Sequence, residues 1–170
     1  MDSASLTIEE IWKSKYIFVY YWGMGIEQAT SQLKLFTFEG RTQPVSFVSS
    51  VEVTRGVVCD VYSFIGDPSK DLGIIKVEPG CKTPLQKVLK GERTIEGYFS
   101  GKGRLIVKTN DSSEVVYRVG DYPFESYFVT IGIGETMQWQ AAEDSNLVVY
   151  EICFPPYEDG RFENLPEQLQ

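Results

Sequence analysis

The stretch that decides the fold is Thr94 to Val107, TIEGYFSGKGRLIV, in which two apolar runs flank the glycine-rich turn Gly101-Lys102-Gly103. Apolar runs of this length on either side of a short glycine turn predict two β-strands. If Thr94 faces the protein interior, the two-residue period of a strand turns Glu96, Tyr98 and Ser100 to the same side. A register shifted by one residue would place Glu96 in solvent instead.

The same pattern of short apolar runs and turn residues extends outward over most of the chain. Several runs alternate with period two, which is typical of antiparallel strands with one buried face. One short helix is predicted near the N-terminus, where Thr7-Ile8-Glu9-Glu10 forms a capping box. The fold class is therefore all-β, a sandwich or jelly-roll barrel. The candidate strands are residues 33–38, 45–53, 57–64, 72–77, 94–100, 104–109, 114–119, 127–133, 136–140 and 147–154.

Length and charge indicate one domain that does not bind nucleic acid. The 170 residues contain no linker or repeat, so the predicted organisation is an N-terminal extension (1–30), a barrel (31–157) and a tail (158–170). The tail is expected to wrap along the outside of the barrel or across a partner subunit. A net charge of -8 argues against nucleic acids and anionic membranes as partners. The aromatic run Tyr16 to Trp22 is too short to span a membrane and is a candidate homodimer contact.

Histidine is absent from the chain, and this absence excludes several classes of active site. Without imidazole there is no His-dependent catalytic triad and no His-ligated zinc or iron centre. Cys59, Cys81 and Cys153 are odd in number and widely spaced, without a CxxC pair. They predict reduced thiols in a cytoplasmic protein rather than disulfides or a zinc site. We therefore expect no metal and no cofactor.

From about Leu72 to Pro155 the sequence resembles the cupin superfamily, whose fold is a double-stranded β-helix of the jelly-roll type. The first cupin motif is a glycine, five residues, His-x-His, a glutamate, and a second glycine after six residues. Here Gly80 is followed after five residues by Gln86, Val88 lies two further on, and Thr94 comes seven before Gly101. The second motif is fainter. It consists of Gly134-Glu135 and the strand LVVYEICFP at 147–155.

The resemblance implies a cupin barrel whose metal ligands have been replaced, and it also implies a homodimer. Gln86 and Val88 stand for the two histidines of the family and Thr94 for its glutamate. Residues near 140–142 stand for the last histidine. Zinc, iron and copper prefer imidazole and thiolate ligands, which cannot be assembled at these positions. Cupin dioxygenases, metal-dependent isomerases and oxalate enzymes are therefore poor models for this chain.

The candidate ligand-binding residues combine amides and aromatic rings with one carboxylate. Glutamine side chains both donate and accept hydrogen bonds, and tyrosine rings provide stacking surfaces. Such a set suits a small polar or carbohydrate-like ligand, although the same aromatic residues would also serve as ordinary barrel core. One of Gln138 and Trp139 must face away from the interior, whatever the register. The candidates are Gln86, Thr94, Glu96, Tyr98, Tyr117, Tyr127, Gln138 and Gln140.

Three functional hypotheses remain open at this point, and the sequence favours the first over an enzyme. The first is a metal-free cupin-like protein that binds a small ligand in the barrel. The second is a sugar isomerase, epimerase or lyase that uses Glu96 with a tyrosine or lysine as its acid/base pair. Glu96 is the best catalytic candidate because burial would raise its pKa toward neutrality. The third is a structural or interaction module whose barrel is filled by side chains.

Overall fold

The computed structural model describes residues 34–121 and 128–166, and within them it contains strands but no helix. The N-terminal extension 1–30 with its predicted helix, the run Tyr16 to Trp22 and the candidate residue Tyr127 lie outside the described residues. The strands are β1 (Lys34–Phe38), β2 (Arg41–Thr54), β3 (Val57–Phe64), β4 (Asp71–Val77), β5 (Leu85–Val88), β6 (Arg93–Gly101), β7 (Gly103–Lys108), β8 (Glu114–Val119), β9 (Phe128–Ile131), β10 (Thr136–Ala141), β11 (Leu147–Phe154) and β12 (Phe162–Leu165).

These strands form two antiparallel sheets. The larger sheet has seven strands in the order β1-β2-β3-β4-β11-β6-β9, and the smaller has five in the order β12-β5-β10-β7-β8. Strands β6 and β7 are consecutive in sequence but belong to different sheets, so the chain passes from one sheet to the other at Gly101-Lys102-Gly103. The fold is an all-β jelly roll, which confirms the fold class predicted from the sequence.

The main hydrophobic core lies between the two sheets, because both contribute buried residues to one cluster. Alternation along each strand turns every second side chain into this space, here called the lumen. The side chains of β7 and β8 follow the predicted pattern, with Leu105 and Val107 buried and Tyr117 half-buried against the cluster. The buried members are Val57, Val77, Val88, Leu105, Val107, Val119, Ile131, Met137, Trp139, Leu147 and Val149.

A second core lies on the other face of the larger sheet. Aromatic residues from β1 pack there against β6 and β11, since the Phe36 ring centroid is 5.8 Å from that of Phe99 and 5.2 Å from that of Tyr150. The ring centroid of Phe38 is 5.2 Å from that of Phe128 on β9. The hairpin of β1 and β2 therefore covers the back of the strands whose front faces line the lumen.

The structure differs from the predicted element pattern at two short strands. Strands β5 and β12 have only four residues each, too few to display a clear two-residue period, and they pair with each other along Leu85–Val88. The tail therefore supplies an edge strand of the smaller sheet instead of wrapping outside the barrel. In the residues described, no helix has the length and apolar character needed to cross a membrane.

A β-bulge changes the orientation of one predicted side chain. The pairing of β6 with β11 shifts register between Val148 and Val149, so that Tyr98 lies opposite Val149 while Ser100 lies opposite Val148. An extra residue in one strand reverses the alternation beyond it. Ser100, predicted to face inward with Glu96, is exposed for this reason.

Candidate functional site

Glu96 faces the lumen from the middle of β6, in the first of the two registers that the sequence allows. Its strand lies between β11 and β9, and Glu96 is opposite Glu151 on one side and Val129 on the other. Only 2% of its surface is exposed. Carboxylates are almost never buried to this extent without a partner. The environment of Glu96 is therefore the first place to look for a function.

The indole of Trp139 is the hydrogen-bond donor to this carboxyl group. Its Nε1 donates to Glu96 Oε2 at 2.6 Å, linking the smaller sheet to the larger one across the lumen. The second oxygen, Oε1, is buried and accepts no hydrogen bond from any described residue. A proton on Glu96 would let it donate to Glu151, whose carboxyl group lies beside it. The two carboxyl groups thus form a pair that favours sharing a proton.

Burial is the main influence on the acidity of this pair. Desolvation raises the pKa of Glu96 well above its ordinary value, and repulsion from the charge of Glu151 adds to the effect. Desolvation also raises the pKa of Glu151, opposed by its hydrogen bonds with Glu96 and Cys153. Glu96 is therefore a carboxyl group that stays protonated at pH values where an exposed glutamate is ionised.

Two thiols and a further carboxyl group adjoin the pair on the larger sheet. Cys153 Sγ donates to Glu151 Oε1 at 3.4 Å, and Asp71 lies opposite Cys153 on β4. Burial, reinforced by Glu151, raises the pKa of Cys59 to about 12 and that of Cys153 still further. Because the thiolate is the reactive form, neither thiol is suited to act as a nucleophile at neutral pH.

The wild-type protein is expected to lose stability as pH rises because Glu96 must ionise, and the Glu96→Gln variant should not show this part of the loss. The folded-state pKa of Glu96 lies above 4.5, its ordinary value, so the folded chain holds a proton that the unfolded chain releases. The free energy of unfolding therefore falls as pH rises above that value, until the folded-state pKa is passed. Glutamine does not ionise, and its amide can still donate to Glu151. The stability advantage of the variant over wild type should increase across this window, as measured by urea denaturation at several pH values.

The control for this prediction is Glu163→Gln, which neutralises an exposed carboxylate on β12. Its stability difference from wild type should show no comparable increase with pH. A difference for Glu96→Gln that stays constant from acid to neutral pH would show that Glu96 ionises equally in both states, contrary to its burial.

The residues at the cupin ligand positions do not fit a transition metal. Val88 is buried and offers no donor atom, and Thr94 Oγ1 already accepts a hydrogen bond at 3.1 Å from the guanidinium of Arg161. Arg161 is itself 1% exposed and also donates to the backbone oxygens of Arg93, Phe154 and Pro155. A buried cation therefore lies where the family's carboxylate ligand would help to hold a metal ion. In the described ranges, no group of three or more His, Cys, Asp or Glu side chains could hold a metal ion.

The remaining candidates divide between the lumen and the outer face of the smaller sheet. Tyr98 and Tyr117 pack against the lumen cluster, and Gln86 shares the inner face of β5 with Val88 while donating to Asn164 at 3.1 Å. Gln138 and Gln140 lie on the opposite face of β10 from Trp139, so the structure does not bring them together with Glu96. This position is a correction to the prediction that all the candidate residues line one ligand site inside the barrel.

Two residues of this region were missed by sequence reasoning. Glu151 is the only charged residue in the apolar strand LVVYEICF, and that isolation is the signal that could have revealed it. Arg161 lies in a tail rich in charged and aromatic residues, where nothing distinguishes a buried arginine from a solvated one.

Solved structures similar to this chain include a cupin-2 domain, a capsular polysaccharide assembling protein and an oxalate decarboxylase. Rru_A2000 from Rhodospirillum rubrum, a cupin-2 domain, is 16% identical with a TM-score of 0.54, over 88% of this chain and 84% of that one. The capsular polysaccharide assembling protein CapF from Staphylococcus aureus is 18% identical with a TM-score of 0.53, over 70% of this chain and 34% of CapF. Bacillus subtilis oxalate decarboxylase is 18% identical with a TM-score of 0.53, over 69% of this chain and 30% of the enzyme.

These likenesses concern the fold and not a reaction. The chain spans about a third of the length of CapF and of oxalate decarboxylase. No protein-family model matches the sequence, and no curated protein matches it. The two-sheet jelly roll agrees with the fold of the solved neighbours. The glycine turn that is most cupin-like in sequence lies where the chain passes from one sheet to the other. The chain has the cupin fold and lacks the histidines with which cupins bind metal.

Proposed function

We propose that this cupin-fold protein binds a small hydroxyl-bearing ligand, such as a carbohydrate, in the lumen without converting it. The observation that supports the proposal is the buried Glu96 Oε1, which accepts no hydrogen bond from any described residue. A carboxyl group that is protonated and donates to Glu151 still has oxygen lone pairs that can accept a ligand hydroxyl, and a buried acceptor left unsatisfied costs about 1–3 kcal/mol.

The lumen as a whole has the composition of a ligand site. Tyr98 and Tyr117 bring aromatic rings to the same space, and Gln86 adds an amide that is half-buried at the β12 edge. Ligand sites are mostly apolar with a few placed polar groups, which describes this combination. Hydrogen bonds and aromatic contacts, rather than a metal ion, would then hold the ligand.

An acid/base enzyme is the second candidate, and the carboxyl pair favours it. A glutamate with a raised pKa beside another carboxyl group is an arrangement found in general acid/base catalysis. The groups that act on the pKa of Glu96 are Glu151 and Trp139, so the partner in such a mechanism would be Glu151 rather than a tyrosine or lysine.

A filled lumen is the third candidate. It is favoured by Trp139, which is 2% exposed and occupies the space beside Glu96, and by Leu105 and Val149, which are fully buried. Side chains packed in this way would leave the carboxyl pair a purely structural role.

Titration with D-glucose and myo-inositol tests the binding proposal. We expect saturable shifts of the Trp139 indole N–H resonance, because this group contacts the proposed anchor. In the Glu96→Gln variant the amide oxygen accepts from Trp139, and the NH2 group that takes the place of Oε1 cannot accept a ligand hydroxyl, so binding should be about tenfold weaker or worse. Glu163→Gln, on the exposed side of β12, should bind like wild type.

Each alternative predicts a different result. Loss of turnover with binding retained in Glu96→Gln would favour the enzyme. Absence of any saturable shift with both sugars, together with a change in stability alone, would favour the filled lumen and contradict the binding proposal. A stoichiometric transition metal in the purified protein would contradict the metal-free part of it.

A further inference from the structure

A row of polar and positively charged side chains crosses the outer face of the smaller sheet. Lys82 lies opposite Gln140, Gln140 opposite Arg104, and Arg104 opposite Arg118. Directly opposed residues on neighbouring strands lie on the same face of the sheet, with their Cβ atoms about 5 Å apart. We call these four residues the cationic row. The row faces away from the lumen, because Leu105 and Tyr117, the strand neighbours of its two arginines, pack against the inner cluster.

The guanidinium of Arg104 is held in place by a relay of amides. Arg104 Nε donates to Gln140 Oε1, Gln140 Nε2 donates to Gln138 Oε1, and Gln138 Nε2 donates to the Thr83 carbonyl, each at 2.9 Å. Gln138 is only 8% exposed, so the relay is anchored in the body of the sheet. A solvated surface arginine has no such support. An oriented guanidinium loses less side-chain entropy when it binds a ligand.

The two arginines of the row also form an unfavourable pair. Like charges directly opposite each other on adjacent strands are destabilising. In the part of the chain that the structure describes, none of the ion pairs involves Arg104 or Arg118. An anion bound between the two guanidinium groups would remove this repulsion and would engage their remaining N–H donors.

The row lines a cleft of suitable size and charge for a small anion. The cleft has a volume of about 460 Å³ and is bordered by the row and by Lys102. Its rim also carries Asp121, Glu143 and Asp144, and the protein as a whole has a net charge of -8. Those carboxylates would repel any anion that reaches the rim, so the cleft favours an anion small enough to stay between the two arginines. The positive charge is thus confined to a space that suits a small molecule.

We propose that this cleft binds the phosphoryl group of a small molecule, at a site separate from the lumen. Two N–H groups of one guanidinium can donate in parallel to two oxygens of a phosphoryl group, and a lysine ammonium adds a positive charge nearby. A phosphoryl dianion presents enough oxygens to contact Arg104 and Arg118 together and to be reached by Lys82 or Lys102. The glutamines Gln138 and Gln140 serve this site by orienting Arg104.

The proposal is tested by titrating the protein with inorganic phosphate and with methyl phosphate at constant ionic strength. Binding is followed in the Nε–H resonance of Arg104 and the side-chain amide resonances of Gln140. We expect saturable shifts with both probes. Arg104→Gln and Arg118→Gln should each weaken binding about tenfold or more, and Gln140→Ala should weaken it by a smaller factor because it only removes the support of Arg104.

Lys108→Gln is the matched control. It removes one positive charge from the same strand, β7, but at the end where Lys108 lies opposite Glu114. It should leave the affinity for phosphate unchanged. Equal weakening in Lys108→Gln and Arg104→Gln, or shifts that chloride reproduces at the same ionic strength, would reduce the effect to general electrostatics and overturn the proposal.

Two further outcomes also decide the matter. Acetate bound as tightly as phosphate would overturn the assignment to a phosphoryl group. Thermal unfolding of each variant shows whether it is folded. If Arg104→Gln does not fold, the phosphate affinity of Arg118→Gln alone tests the proposal. That variant should fold because no described hydrogen bond or ion pair depends on Arg118. Unchanged phosphate affinity in folded Arg118→Gln would overturn the proposal. Neither result depends on whether the lumen binds a sugar.

Discussion

Gly101→Ala is expected to lower the free energy of unfolding by at least about 3 kcal/mol, because the new methyl group meets both backbone strain and backbone atoms. Gly101 has a φ of 90°, a conformation that costs a residue with a Cβ atom free energy. An alanine Cβ there would overlap the carbonyl oxygen of Asn146, and it would lie 2.8 Å from that residue's carbonyl carbon and 3.0 Å from Leu147 Cα. These atoms are backbone at the start of β11, and backbone tied to a paired strand cannot move aside as a flexible side chain can.

Gly66→Ala separates the two causes of this loss. Gly66 also has a positive φ, 77°, but a Cβ added there would meet no atom within 4 Å. It should cost only the conformational term, roughly 1 kcal/mol. Urea denaturation of both variants gives the comparison. Equal losses would mean that the close approach of Gly101 to Asn146 is unimportant, and that the turn between the sheets is not the constrained point inferred from the structure.

Arg161→Ala is the second change for which a large effect is expected, a loss of about 3 kcal/mol or more in unfolding free energy. The guanidinium donates to Thr94 Oγ1 at 3.1 Å and to the carbonyl oxygens of Arg93, Phe154 and Pro155 at 2.9 to 3.2 Å. Alanine would leave these acceptors without their donor and open a cavity where a fully buried side chain had been. The tail that carries β12 would lose its attachment to β6 and β11.

Two other substitutions make the result for Arg161 interpretable. Arg41→Ala removes an exposed arginine at the start of β2 and should change stability by no more than about 0.5 kcal/mol. Arg161→Met keeps much of the volume but removes the hydrogen bonds. If Arg161→Met were as stable as wild type in urea denaturation, packing rather than hydrogen bonding would hold the tail, and the role given to the guanidinium would be refuted.

Sequence reasoning performed best where turn residues mark both ends of an apolar run, whereas the longest strand, β2, extends beyond the predicted residues 45–53. Strands β3, β8 and β11 have the bounds predicted for residues 57–64, 114–119 and 147–154. Each has at least six residues, enough for the two-residue period to emerge and for turn residues to mark the ends. Strands β5 and β12 were not predicted, because four residues of mixed polarity carry no period and their pairing joins segments far apart in the chain.

The candidate site was predicted only in part, for a reason visible at β10. Alternation shows that Trp139 and its neighbours Gln138 and Gln140 face opposite sides, but not which side is the lumen. The structure turns Trp139 inward onto Glu96 and leaves the two glutamines on the outer face, where they orient Arg104. The sequence could identify these side chains as unusual, yet it could not say which of two sites each one serves.

The sequence by itself determined the all-β architecture, the antiparallel alternation of the strands and the absence of histidine chemistry, because these follow from local period, turn residues and composition. The tertiary structure alone decided that Glu96 meets Glu151 and Trp139. It also decided that Arg161 donates a hydrogen bond to Thr94, the residue that stands for a metal ligand of the family. Only the strand pairing shows that one row is formed by Lys82, Gln140, Arg104 and Arg118. Strand order and register bring together residues that are tens of positions apart, and a single bulge reverses which of them face each other.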